Sequence, residues 1–153
     1  MYQIILNMKR LSILVMMLSL FATGAFAQVT VDVFINGIKG GQYNIKANQA
    51  DNGGISYKKS VYKKVDRLSI QIKGKSIDGG YTRKVEVMGD ETAPIFVAAE
   101  TEGAPGQFIL SDKMVLKRLA KGKPITLYVE KTPANTKSKE AAKKVYIGKL
   151  TRS

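Results

Sequence analysis

The sequence contains no cysteine, no histidine and no tryptophan. Without thiol and imidazole groups, Cys–His and Ser–His–Asp nucleophilic sites are excluded, as are zinc sites built on these ligands. A lipid anchor attached to cysteine is not expected either. Small exported domains from eukaryotes are often dense in disulfides, so this composition favours a bacterial envelope or secreted protein.

The first 27 residues have the pattern of a cleavable secretory signal. Lys9 and Arg10 form a positively charged start, an apolar run follows over 11–21, and Ala25-Phe26-Ala27 provides a small-x-small cleavage site. The apolar run is shorter than the roughly 20 residues that span a bilayer. We therefore expect cleavage after Ala27, no stable membrane anchor, and a periplasmic or secreted product.

Residues 28–153 are expected to form a single domain, because a chain of this length can bury enough apolar surface to fold without disulfides or a metal. The net charge is +13 for the whole chain and +11 for residues 28–153. It is unevenly distributed: residues 28–89 carry +6, residues 90–112 carry −5 and residues 113–153 carry +10. A basic surface of this kind attracts polyanions, although it can also be a solvated surface without such a partner.

Apolar and polar residues alternate along much of the domain, which is the pattern of half-buried strands. Alternation over 29–35 and again over 43–47 predicts a hairpin. The turn chemistry between these strands is supplied by Asn36-Gly37 and Gly40-Gly41.

The same alternation over 68–73 and 81–88 predicts a second hairpin, with Asp78-Gly79-Gly80 as its turn. Residues 95–99 are apolar on both faces, which predicts a more central strand. Further short strands are predicted at 108–110, 125–130 and 145–147, the last two as hairpin partners with Val145 and Ile147 facing inward.

One segment, 112–121, has the pattern of a short helix. Ser111 is expected to cap its N-terminus, and Gly122 and Pro124 to end it. One face of this helix is apolar and is formed by Val115, Leu116, Leu119 and Ala120. A weaker helical turn is predicted at 138–144.

These elements predict an all-β fold: a small antiparallel β-sandwich, immunoglobulin-like in architecture, or an open barrel, with one short crossover helix. The cysteine and tryptophan landmarks of true immunoglobulin domains are missing. Fold alone would not identify a function in any case.

Carboxylates in the acidic stretch 90–112 are the candidates for enzymatic chemistry: Asp90, Glu91, Glu100 and Glu102. A glycosidase needs two carboxyl groups roughly 5–9 Å apart. The strand between the first and second acidic pairs would separate them by about 16 Å. A small carboxylate-dependent hydrolase is therefore a secondary hypothesis, and no catalytic residue, cofactor or metal ligand is predicted.

The segment Tyr57-Lys58-Lys59-Ser60-Val61 is followed by an imperfect repeat, Tyr62-Lys63-Lys64-Val65. Aromatic rings interleaved with lysines can stack on sugars or bases while the ammonium groups hold phosphate or sulfate. The candidate polyanion-binding residues are therefore Lys58, Lys59, Lys63 and Lys64. The simpler interpretation is an edge element with a solvated lysine face. In either case Tyr57, Val61 and Val65 are expected to pack inward.

Tyr128 and Tyr146 are expected on the outward face of two paired strands, where they would form an exposed aromatic patch. Gly148 is expected on the same side, so that Tyr128 could simply cover a glycine.

The favoured hypothesis is a non-enzymatic exported binding or accessory module, with an envelope protein or an acidic polymer as its partner. The alternative of the same kind is a polyanion binder for acidic polysaccharide, lipopolysaccharide or nucleic acid.

Overall fold

The computed structural model describes residues 29–45, 54–74 and 81–153. The predicted signal segment, Ala47 and the turn Asp78-Gly79-Gly80 lie outside these ranges. Within them the elements are β1 (Val29–Ile35), β2 (Ile38–Ile45), β3 (Gly54–Tyr57), β4 (Leu68–Lys73), β5 (Tyr81–Met88), β6 (Pro94–Ala99), β7 (Gln107–Ile109), α1 (Lys113–Ala120), β8 (Ile125–Pro133) and β9 (Lys143–Arg152).

The strands form two sheets, one of four strands in the order β2-β1-β4-β7 and one of five strands in the order β3-β9-β8-β5-β6. Neither sheet closes into a barrel. For the part of the chain that the structure describes, the prediction of a mostly β fold with one short helix is confirmed. The pairing is not wholly antiparallel as predicted, because β3 lies parallel to β9.

Buried side chains from both sheets contribute to one hydrophobic cluster. Helix α1 follows β7 of the four-stranded sheet and leads into β8 of the five-stranded sheet, so the predicted crossover is confirmed. Its two fully buried side chains, Val115 and Leu119, belong to the same cluster.

The first predicted hairpin is confirmed as β1–β2. Asn36 and Gly37 have φ angles of 52° and 83°, as a two-residue type I′ turn requires. Gly40 and Gly41 are not turn residues, contrary to prediction, and lie within β2 beside a bulge. A Cβ atom at Gly41 would lie 2.8 Å from the Ile55 side chain, so close packing explains this glycine.

The second predicted hairpin is wrong. β4 pairs with β1 and β7 in one sheet, whereas β5 pairs with β6 and β8 in the other. An alternating pattern shows that a strand has one buried face, but it does not select the strand's partner. Strand β6, predicted to be central, is at an edge of its sheet, with Val97 exposed.

The helix is confirmed, but its predicted cap is wrong. The carboxylate of Asp112 accepts hydrogen bonds from the backbone N–H groups of Met114 (2.8 Å) and Val115 (3.3 Å). The hydroxyl oxygen of Ser111 instead accepts from the backbone N–H of Leu68 at 2.9 Å, which joins the start of α1 to β4.

The weaker helical turn at 138–144 does not form, because β9 begins at Lys143 and pairs there with Lys131 of β8. A helical turn this short is unstable without packing, and strand pairing prevails.

A bulge in β9 changes the side of the sheet on which Gly148 lies. Tyr128 lies opposite Tyr146, but Leu127 lies opposite Gly148, so Ile147 is the additional residue. Gly148 is therefore buried, and a Cβ atom on it would overlap the ring of Tyr43, so the expectation that Gly148 faces outward beside Tyr128 is wrong. Ile147 is fully buried, as predicted, and Val145 lies opposite the buried Val129 but is 36% exposed.

Candidate functional site

A cleft of about 460 Å³ lies between residues 57–66, helix α1 and the end of β9. We call it the basic cleft, because five cationic side chains line it: Lys63, Lys64, Lys113, Lys117 and Arg152. Tyr57, Tyr62 and Leu116 contribute aromatic and apolar surface. Its volume lies in the range of small-ligand sites.

The charges around the basic cleft are poorly compensated. Among the residues that the structure describes, the single carboxylate in its lining is Asp66, which pairs with Lys64 at 3.0 Å, and both side chains are exposed. Over residues 29–45, 54–74 and 81–153, no ion-pair partner is found for four lining cations, Lys63, Lys113, Lys117 and Arg152. A concave surface with this excess of positive charge attracts anions.

The segment that carries Lys63 and Lys64 has no regular structure and is held by Asn36. The Asn36 side-chain nitrogen donates to the carbonyl oxygen of Lys64 (2.7 Å), and its oxygen accepts from the N–H groups of Asp66 (2.9 Å) and Arg67 (3.1 Å). The sequence indicates Asn36 only as a turn residue, so its hydrogen bonds to residues 64–67 are not predicted from the sequence.

Tyr57 ends β3 and packs edge-to-face against Tyr62, with ring centroids 5.9 Å apart. The side chain is 3% exposed, and its hydroxyl is buried without a hydrogen-bond partner among the described residues. Burial raises the pKa of Tyr57, and the charge of Arg152 opposes this shift only in part. The phenol is therefore neutral at ordinary pH and keeps an unused donor in the cleft wall.

The four predicted polyanion-binding lysines separate into two pairs. Lys63 and Lys64 line the basic cleft, whereas Lys58 and Lys59 are exposed in the turn after β3 and do not line it. The carbonyl oxygen of Lys58 accepts from the backbone N–H groups of Val61 and Tyr62. This turn leaves Val61 68% exposed, so the expectation that Val61 packs inward is wrong.

Helix α1 supplies two cations of the basic cleft, Lys113 and Lys117, and β9 supplies Arg152. In the sequence, Lys113 and Lys117 lie in the predicted helix and Arg152 lies near the end of the chain. No local pattern brings these residues together, because they are distant from residues 57–66 along the chain.

A second cleft, of about 430 Å³, is also lined by side chains of α1. Its charged lining consists of Asp90, Glu91, Lys117, Arg118, Lys121 and Lys123. Arg118 donates two hydrogen bonds to the carboxylate of Asp90, at 2.6 and 3.0 Å, and these lower the pKa of Asp90. Lys117 lines both clefts, so they adjoin across the helix.

Glu100, another of the candidate carboxylates, is also engaged. Glu100 accepts hydrogen bonds from Arg83 (2.6 and 3.1 Å) and from the Gly106 N–H. Burial acts to raise the pKa of Glu100, but these bonds outweigh it and the pKa is lowered. Asp112 caps α1. In the part of the chain that the structure describes, no three acidic side chains are placed to hold a metal ion.

Tyr128 and Tyr146 face each other on adjacent strands, as predicted, with ring centroids 5.4 Å apart in an edge-to-face arrangement. Both are only half-buried. The ammonium group of Lys144 lies 5.0 Å from the Tyr128 centroid and also pairs with the buried carboxylate of Glu86. Much of this aromatic surface is thus used within the protein.

Comparison of the chain with protein families, with curated proteins and with solved structures gives no match. Of the helices formed by the described residues, none is long and apolar enough to cross a membrane. The interpretation of the site therefore depends on its own geometry and charge.

Proposed function

We propose that this protein is a non-enzymatic binding module that holds an anionic ligand in the basic cleft. The observation that carries the proposal is the uncompensated charge of Lys63, Lys113, Lys117 and Arg152 around one concave surface. Carboxylate, sulfate or phosphate groups of a ligand would supply the charge-assisted hydrogen bonds that these side chains lack within the described protein.

The positions of the carboxylates support binding over hydrolysis. Asp90, Glu100 and Asp112 are engaged by Arg118, by Arg83 and by the start of α1, respectively. Of the described carboxylates, the basic cleft contains Asp66 alone, which pairs with Lys64. General acid–base catalysis of glycoside cleavage needs two carboxyl groups facing one substrate. Asp90 and Glu91 both line the second cleft, but Asp90 is paired there with Arg118.

Two sheets that contribute to one hydrophobic cluster support a β-sandwich of immunoglobulin-like architecture. The signal pattern of residues 1–27 supports export to the periplasm or the medium. The ligand would then be an acidic polymer or an acidic surface of an envelope protein.

A titration with trigalacturonate, a small carbohydrate with three carboxylates, tests the binding site. The double variant Lys63→Gln/Lys113→Gln should bind about 5-fold more weakly than the wild type, since exposed charges each contribute a few tenths to one kcal/mol. Glutamine keeps chain length and polarity. Calorimetry at low salt, where screening is weak, is the appropriate measurement.

The matched control is Lys137→Gln/Lys139→Gln, which removes the same charge from the exposed loop between β8 and β9. This variant should keep the wild-type affinity. Equal losses in the two variants would indicate diffuse attraction to a basic surface and would contradict a site in the basic cleft.

A further inference from the structure

A row of lysines runs along helix α1 and ends at its C-cap. Lys113, Lys117 and Lys121 follow each other at four-residue spacing, which places them on the same side of the helix. At a rise of 1.5 Å per residue the row is about 12 Å long. All three side chains are exposed.

This row connects the two clefts. Lys113 and Lys117 line the basic cleft, and Lys117 and Lys121 line the second cleft. None of the three has an ion-pair partner in the described ranges. The positive surface is therefore longer than a small anion requires, and its shape fits an extended ligand with repeated anionic groups.

The second cleft also indicates which kind of polymer fits. Its lining includes the carboxylates of Asp90 and Glu91, which can accept hydrogen bonds from sugar hydroxyl groups. Over the described ranges 29–45, 54–74 and 81–153, no aromatic side chain lines this cleft. Proteins that bind single-stranded nucleic acids present aromatic rings for base stacking.

We infer that the ligand is a linear acidic polysaccharide, bound from the basic cleft along the lysine row of α1 and into the second cleft. The inference rests on the proposed function, because the basic cleft must bind anions first. The basic cleft would hold one part of the polymer, and Lys121 and Lys123 would contact the part that extends beyond it.

The test compares trigalacturonate with a galacturonate dodecamer. The dodecamer should bind more tightly to the wild type. The variant Lys121→Gln/Lys123→Gln should lose about 5-fold in affinity for the dodecamer, while its affinity for trigalacturonate stays unchanged. Lys137→Gln/Lys139→Gln is again the control of equal charge and should bind both ligands as the wild type does.

The other outcomes are distinguishable. If trigalacturonate binds to the basic cleft but the dodecamer binds no more tightly, the inference of an extended ligand is wrong. The proposed function stands in that case. If neither oligomer binds, the proposed function fails as well. If an oligodeoxythymidylate of matched charge binds as tightly as the dodecamer, and is weakened by the same variant, the choice of a polysaccharide is wrong.

Discussion

The side chain of Asn36 donates a hydrogen bond of 2.7 Å to the backbone carbonyl oxygen of Lys64, 28 residues further along the chain. The same asparagine has the positive φ angle that the β1–β2 turn requires. One residue therefore closes a hairpin and also positions the irregular segment that carries Lys63 and Lys64. The turn and the basic cleft are coupled through it.

Replacing Asn36 by glycine should separate these two roles. Glycine adopts the positive φ angle, so the hairpin should persist, but the three side-chain hydrogen bonds to residues 64–67 are lost. We expect a stability loss of about 1–2 kcal/mol in urea denaturation and a weaker affinity for trigalacturonate. An unchanged affinity would show that Asn36 does not position the binding segment.

Tyr57→Phe should stabilise the protein, because it removes a buried hydroxyl that lacks a hydrogen-bond partner among the described residues. The expected gain is about 1 kcal/mol, the lower end of the cost of a buried unsatisfied polar group. Urea denaturation at neutral pH measures it. A loss of stability in this variant would mean that the hydroxyl makes a favourable hydrogen bond.

Asp32 should make stability depend on pH in the acidic range. It is 1% exposed and is contacted by Lys73 (2.7 Å), Lys39 (3.0 Å) and Gln42 (2.6 Å). Burial acts to raise the pKa of Asp32, but these hydrogen bonds prevail and lower it from 3.8 to about 2.

A carboxylate with a lowered pKa stabilises the folded state fully above its unfolded value, here 3.8, and loses this contribution as the pH falls towards 2. The loss should be about 2 kcal/mol for the wild type. Asp32→Asn should be less stable at pH 6 and show a smaller decrease between pH 5 and pH 2. Denaturation midpoints across this range provide the comparison, and parallel curves would contradict the role given to Asp32.

Leu119→Ala should cost about 2–4 kcal/mol, because the side chain is fully buried beneath α1 and its loss leaves a cavity. Asp112→Ala should cost less, about 1 kcal/mol, since it removes only the helix cap. Chemical denaturation gives both values. A Leu119→Ala variant as stable as the wild type would contradict the packing of the helix.

The exported protein should begin at Gln28, if the signal pattern is cleaved after Ala27. Mass spectrometry of the product should show the loss of residues 1–27, with or without cyclisation of the new N-terminal glutamine. An intact N-terminal segment recovered in the membrane fraction would contradict cleavage.

The sequence predicted the elements better than their partners. Val31, Val33 and Ile35 alternate with polar or half-buried residues, and the structure places these three side chains in the core. The helical pattern likewise predicts an apolar face that includes Leu119, and this side chain is fully buried. Such patterns are local consequences of strand and helix geometry, so they are visible in a short stretch of chain.

The pairing of β4 and β5 and the orientation of Gly148 were not predictable in this way. Strand pairing depends on the packing of the complete core, and the bulge at Ile147 shifts the following residues by one position. Gly148 is then needed because the ring of Tyr43, more than 100 residues earlier in the chain, occupies the space of a side chain.

Composition and local patterns are sufficient to predict the β-rich class, the short helix and the excess of positive charge, and they exclude cysteine and histidine chemistry. They also indicate Lys63 and Lys64 as candidate ligand contacts. The folded chain separates them from Lys58 and Lys59 and places them with Lys113, Lys117 and Arg152. A binding surface assembled from three distant segments depends on long-range packing, whereas composition and periodicity reflect only the local conformation of each segment.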